Sequence, residues 1–103
     1  MEKLHHVAIT VTDVKKPLDW YQAEFDVEID YVDKSWALVR FDNVALALVL
    51  PEQHPPHIAV ERDNAESYGS LKSHRDRTAS VYIQDPWGNT IEIIKTNHQR
   101  ERQ

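Results

Sequence analysis

The chain contains no cysteine. That excludes disulfides, thiolate metal ligands and a cysteine nucleophile, and it fits a reducing cytosol. It also lacks long apolar runs: nothing approaches the ~18 consecutive apolar residues of a membrane span. The opening MEKLHHVAIT has no apolar stretch of the ~7–15 residues that a secretory signal needs. A soluble, cytoplasmic protein is the expectation. Basic excess is missing as well. The net charge of −5 makes nucleic acid an unexpected partner. The polar residues 97–103 read as a frayed terminal tail, and most of the acidic excess reads as solvated surface. At 103 residues, one domain with a sizeable core is expected over residues 1–103.

What the chain does contain is one pattern written twice. His6-Val7-Ala8-Ile9 matches His57-Ile58-Ala59-Val60 at a spacing of 51 residues. Asn43-Val44-Ala45-Leu46-Ala47-Leu48-Val49 matches Gly88-Asn89-Thr90-Ile91-Glu92-Ile93-Ile94 at a spacing of 45. The second copy is therefore shorter by six residues, lost from its middle. Neither half would cover its own sheet face, so the halves must pack together or against another chain.

In the first half, Leu4 to Val11 reads as a strand. Asp13 is placed as the N-cap of a helix carrying an apolar stripe of Val14, Leu18, Tyr21 and Phe25, with Pro17 in its first turn. Trp20, Tyr21 and Phe25 are expected in the core. Three strand-like runs follow, at Val27 to Val32, Trp36 to Phe41 and Val44 to Leu50, with a tight connection at Asp42-Asn43. After Pro55-Pro56 the second half starts at Ile58 to Glu61. Asn64 to His74 is polar and interrupted by Gly69, so only a short or irregular helix is expected there. Ala79 to Gln84 and Thr90 to Lys95 close the chain. The fold class is α+β: two βαβββ modules, at 4–51 and 55–96, forming a mostly antiparallel sheet, the second with a shortened helix. Consecutive strands without intervening helices imply hairpins rather than a doubly wound parallel sheet.

The turn Asp85-Pro86-Trp87-Gly88-Asn89 sets a register. Pro86 suits the first corner and Gly88 the left-handed position that closes a three-residue hairpin loop. Asp85 then pairs with Asn89, Tyr82 with Glu92 and Ser80 with Ile94. Because side chains alternate, Ser80, Tyr82, Gln84, Thr90, Glu92 and Ile94 share a face. Glu92 thus falls among apolar neighbours in a central strand, where an uncompensated carboxylate costs several kcal/mol. A cation would compensate it, and so would Arg40, Arg75 or Arg77. His6 and His57, which recur at equivalent repeat positions, are the other candidate ligands, though either could be an ordinary strand-edge histidine. Two neutral imidazoles and one carboxylate suit Fe(II), Mn(II), Zn(II) or Ni(II) and leave coordination positions open. Tyr82 is the candidate pocket residue for orienting a substrate. His54, His74 and His98 lie in polar segments and are expected to be exposed; His74 is also a possible general base on its chemistry alone. Trp87 at a turn tip could cover an apolar edge or a neighbouring subunit.

Leu4-His5-His6-Val7-Ala8-Ile9, the segment ending Trp20-Tyr21, His57-Ile58-Ala59, and Asp85-Pro86-Trp87-Gly88-Asn89-Thr90-Ile91-Glu92 together resemble the vicinal oxygen chelate superfamily. That superfamily includes glyoxalase I, methylmalonyl-CoA epimerase, extradiol dioxygenases, and fosfomycin- and bleomycin-resistance proteins. The resemblance implies paired modules in a cup-shaped sheet, often as a homodimer that can exchange modules. It implies a divalent metal at His6, His57 and Glu92, with His5 on the opposite face of its strand. One departure stands out. Glyoxalase I and the epimerases take a fourth ligand from the strand that here runs Val44 to Leu50, and the repeat alignment puts Ala47 there. A three-ligand site is closer to the fosfomycin-resistance and dioxygenase branches, and Ser80 with Tyr82 resembles the former's substrate-side residues.

Three functions follow. A metal-dependent enzyme of lyase, isomerase, thiol-transferase or dioxygenase type would hold two neighbouring oxygens of a small substrate and stabilise developing negative charge. A metal-free protein of the bleomycin-resistance type would sequester a small molecule. A module that has lost the chemistry would bind a protein partner.

Overall fold

The computed structural model describes residues 1–74 and 77–96. Residues 97–103, including His98, lie outside the described set, as does Arg75. Eight strands, one α-helix and one 3-10 turn are described: β1 Lys3–Thr10, α1 Lys15–Glu24, β2 Glu28–Val32, β3 Trp36–Arg40, β4 Ala45–Val49, β5 His57–Glu61, the 3-10 turn Ala65–Tyr68, β6 Lys72–Ser73, β7 Ala79–Gln84 and β8 Thr90–Lys95. The class is α+β with a mixed sheet. No helix among the described residues is long and apolar enough to cross a membrane.

Two compact units share β1. One is His6–His57; the other joins Met1–His5 to the chain from Ile58 onward. In the first, hydrogen bonding orders the strands β1-β4-β3-β2, and in the second β5-β8-β7-β6. The orders are identical once the numbering is advanced by four, so the repeat in the sequence is also a repeat of topology.

In the first unit β1 is parallel to β4, with His6 opposite Ala45 and Ala8 opposite Ala47. β3 pairs antiparallel with both β4 and β2. Alternation along these strands separates two apolar layers. Ala37, Val39 and Leu48 pack with Leu18 of α1 and with Val14 just before it, and Ile9 of β1 joins them. Ala8, Leu38, Ala45, Ala47 and Val49 form the layer on the other face, closed by Tyr31 and Trp36, whose rings stack at 4.5 Å. His6 has the parity of Ala8 and belongs to this second face. Its partner across the pairing to β4 is Ala45.

Three sequence expectations need correction. Val14, not Asp13, is the helix N-cap. Asp13 still acts one residue farther out, where its Oδ1 accepts the backbone N–H of Lys16 at 2.9 Å. Trp20 and Phe25 are 53% and 45% exposed, not core residues. α1 has only ten residues, and the layer beneath it is filled by Val14, Leu18 and half-buried Tyr21. The two outer rings instead pack edge-on with each other at 5.9 Å. Finally, the short or irregular helix expected over Asn64 to His74 is a single 3-10 turn, Ala65–Tyr68, but the same segment also holds a two-residue strand, β6, that was not expected. The second module thus retains all four of its strands.

Asp33 organises the β2–β3 connection. Its Oδ2 accepts from the Tyr31 hydroxyl at 2.6 Å, and its Oδ1 accepts from Ser35 N, Ser35 Oγ and Trp36 N at 2.8–3.0 Å. Burial pushes this carboxyl up, but the hydrogen bonds outweigh it and hold the group at about 2. The depressed value fixes the sign of its pH dependence. The stabilisation is present above the ordinary aspartate range and is lost as pH falls through about 2. Asp33→Asn should therefore lower the urea midpoint at pH 7, with the gap from wild type closing towards pH 2. Leu48, fully buried between α1 and the sheet, gives a larger effect: Leu48→Ala should cost about 2–5 kcal/mol in the same unfolding measurement.

Candidate metal centre

The residues singled out in the sequence fall into two groups, one in each unit. In the first unit, His6 and His57 come together from positions 51 residues apart. Both are buried, and their Nε2 atoms lie 3.2 Å from each other. His57 Nδ1 is 2.7 Å from the carbonyl oxygen of Pro55. A carbonyl can only accept, so Nδ1 carries the proton in the neutral ring and Nε2 presents a lone pair. This is the arrangement of a metal-ligating histidine, whose second ring nitrogen donates to a backbone carbonyl. Pro55 lies two residues before His57, the first residue of β5. The half-buried His54 ring lies 6.5 Å away by ring centroids.

The distance between the two Nε2 atoms is a test of fit. Two nitrogens bound at ~2.0–2.1 Å to one ion would be separated by about 2.9 Å at right angles and about 3.4 Å at the tetrahedral angle. The observed 3.2 Å falls between these values. The rings meet edge-on at 74°, with centroids 5.3 Å apart, and approach each other through their Nε2 atoms. The residues present fit a divalent ion.

In the second unit, the β7–β8 hairpin has the register derived from its turn. Ser80 faces Ile94, Tyr82 faces Glu92 and Gln84 faces Thr90. Asp85 N donates to Asn89 O at 2.9 Å, and Gly88 takes φ +88°. The Asp85 carboxylate accepts from Trp87 N, Asn89 N and Asn89 Nδ2, each at 2.9 Å. β8 lies between β5 and β7, and this central position leaves Glu92 only 3% exposed. Trp87 at the turn tip is 83% exposed.

Glu92 has a neighbour that sequence reading missed. His74 Nε2 lies 3.5 Å from Glu92 Oε2 and 2.6 Å from Ser80 Oγ. His74 is half-buried, contrary to the exposure expected of a histidine in a polar segment. The cause is β6: Lys72 pairs with Ser80 and Ser73 with Ala79, which draws the next residue onto the hairpin. Two residues are too few to show a strand periodicity, so no local signal announced this contact. Of the arginines considered as partners for Glu92, Arg40 is ion-paired with Asp30 at 2.5 Å and Arg77 is exposed.

Tyr82 is partly exposed beside this group. Burial, and then the Glu92 charge opposite, push its phenol well above the ordinary tyrosine value. It is a hydroxyl at neutral pH, suited to hydrogen bonding and not to acting as a phenolate.

No family model matches the chain, and no curated protein matches its sequence. Solved structures do match. A variant of Streptomyces coelicolor methylmalonyl-CoA epimerase, in complex with 2-nitronate-propionyl-CoA, superposes with a TM-score of 0.76 at 12% identity, covering 92% of this chain and 97% of that one. The methylmalonyl-CoA epimerase of Mycobacterium tuberculosis gives 0.75 at 14% identity, with coverage of 98% and 92%. A glyoxalase/bleomycin resistance protein/dioxygenase superfamily member from Vibrio splendidus gives 0.64 at 11% identity, with coverage of 92% and 99%. The chain has the vicinal oxygen chelate fold. At such identities the likeness is one of fold.

The tautomer of His57 is directly measurable. Long-range proton–nitrogen correlation of the metal-free protein should show His57 protonated at Nδ1 and bare at Nε2; the reverse pattern would remove its lone pair from the site.

Proposed function

We propose that the protein is a metal-dependent enzyme of the glyoxalase type, with one divalent ion held by His6, His57 and Glu92. The observation that carries this reading is the pair of buried imidazoles with Nε2 atoms 3.2 Å apart, one of them fixed in its ligating tautomer by Pro55. Glu92 supplies the anionic donor: all three residues are buried and each offers one ligand atom. Two neutral ligands and one carboxylate would leave the ion a net positive charge and open positions.

Such an ion would act as a Lewis acid on two neighbouring oxygens of a small substrate. Around it, Tyr82 would donate its hydroxyl hydrogen to a substrate oxygen. Ala47, 1% exposed in an alanine-rich layer, stands where a fourth ligand would be and supports a three-ligand site. Several solved structures of this fold are methylmalonyl-CoA epimerases. They make an isomerase acting next to a carbonyl the first reaction to assay, before lyase, thiol-transfer and dioxygenase reactions. The same reading takes the protein as a cytoplasmic homodimer that acts on a small molecule, not on nucleic acid or a membrane.

Elemental analysis of protein prepared without an affinity tag or chelator tests the assignment. About one divalent ion per chain is expected in the wild type, and its loss in each of His6→Ala, His57→Ala and Glu92→Ala. Wild-type protein that is empty and takes up none of Mn, Fe, Ni or Zn would replace the enzyme by the sequestering protein, for which ligand-induced quenching of tryptophan fluorescence is the assay.

A further inference from the structure

We infer that His74 is a positioning residue for Glu92: anchored by Ser80, it fixes the carboxylate in the orientation that metal binding requires. The inference rests on the metal reading above and adds a residue to it.

The need for such a residue comes from burial. A glutamate side chain turns about three bonds, and at 3% exposure Glu92 has little bulk water to define where its oxygens settle. Outer hydrogen-bonding partners usually do this for ligating carboxylates, and their removal typically weakens metal binding ~10–100-fold. His74 is built for that role. Its backbone N–H donates to Thr78 O at 2.8 Å, closing the turn after β6. Its ring is fixed independently by the 2.6 Å contact between Nε2 and Ser80 Oγ. Ser80 is itself 1% exposed on β7, in register with Ile94 of β8, two residues beyond Glu92. The imidazole is thus held from the backbone and from the side chain, with Nε2 3.5 Å from Oε2 of Glu92.

With its proton on Nε2, the ring holds an N–H between two acceptors, Ser80 Oγ at 2.6 Å and Glu92 Oε2 at 3.5 Å. In the proposed site this would favour Oε1 as the oxygen turned to the ion. With Ala47 at the equivalent place in the first repeat, Glu92 is the one carboxylate of the proposed ligand set, so its orientation weighs heavily on affinity.

The test is calorimetric titration of the metal-free full chain with Mn(II), Fe(II), Ni(II) or Zn(II), each added alone, followed by use of the tightest-binding ion with the variants. His74→Ala should weaken binding ~10–100-fold. Ser80→Ala should weaken it in the same direction but less, because the ring remains and only its anchor is lost. His74→Gln, which puts an amide N–H where Nε2 stood, should recover most of the affinity. That recovery separates positioning from packing, since both His74 substitutions alter packing. Wild-type affinity in His74→Ala, alongside lost binding in Glu92→Ala, would overturn the inference and leave the metal site intact. Equal losses in His74→Ala and His74→Gln would also overturn it, in favour of a packing role. If His74→Ala does not fold, Ser80→Ala and His74→Gln decide by the same criteria. A wild type that binds none of the four ions would overturn the metal reading, and this inference with it.

Discussion

A carboxylate in the middle of a sheet is the constraint around which the second unit is arranged. Glu92 lies on β8, flanked by β5 and β7, and Ile93 and Ile94 beside it are core residues. An ionised group in such surroundings is tolerated only with charge or hydrogen-bond donors supplied to it. The second unit supplies His74, placed by a two-residue strand and locked to Ser80. The first unit, for its part, presents two imidazole nitrogens at a spacing suited to one ion. Neither group is explained by packing alone. Apolar residues at these positions would fill the same volume without a desolvation penalty.

The repeat makes this economical to build. Each copy opens with a strand that carries a histidine, and each closes with a strand beside it, β1 with β4 and β5 with β8. The closing strands then diverge. At equivalent places one has Glu92 and the other Ala47, and the alanine is surrounded by Ala8, Ala45 and Val49. One closing strand carries a buried carboxylate and the other an alanine packed in the core. Such asymmetry between copies suits a fold that hosts many reactions through local changes of side chain.

Much of this was legible in the sequence, for identifiable reasons. The register of β7 and β8 follows from Pro86 and Gly88, because a turn of fixed length determines every pair behind it. The histidines stood out because they recur at matched positions of a repeat, a long-range signal that needs no structure. Other features were not legible. β6 is shorter than one period of any pattern, so the approach of His74 to Glu92 depends on pairing that only the assembled hairpin provides. Phe25 fits the apolar stripe yet stands out from the core, as does its neighbour Trp20, because in the ten-residue α1 only Leu18 is buried, beside the N-cap Val14. Helical periodicity says which side chains share a face. It does not say how far the covering surface extends.

The proposed holding of one ion by His6, His57 and Glu92 is tested most directly by anomalous diffraction at the absorption edge of a divalent ion added to crystals of the full chain. The account predicts a single strong peak within ~2.0–2.2 Å of Nε2 of His6, Nε2 of His57 and one carboxylate oxygen of Glu92. Crystals that take up the ion only at other residues, or not at all, would contradict it.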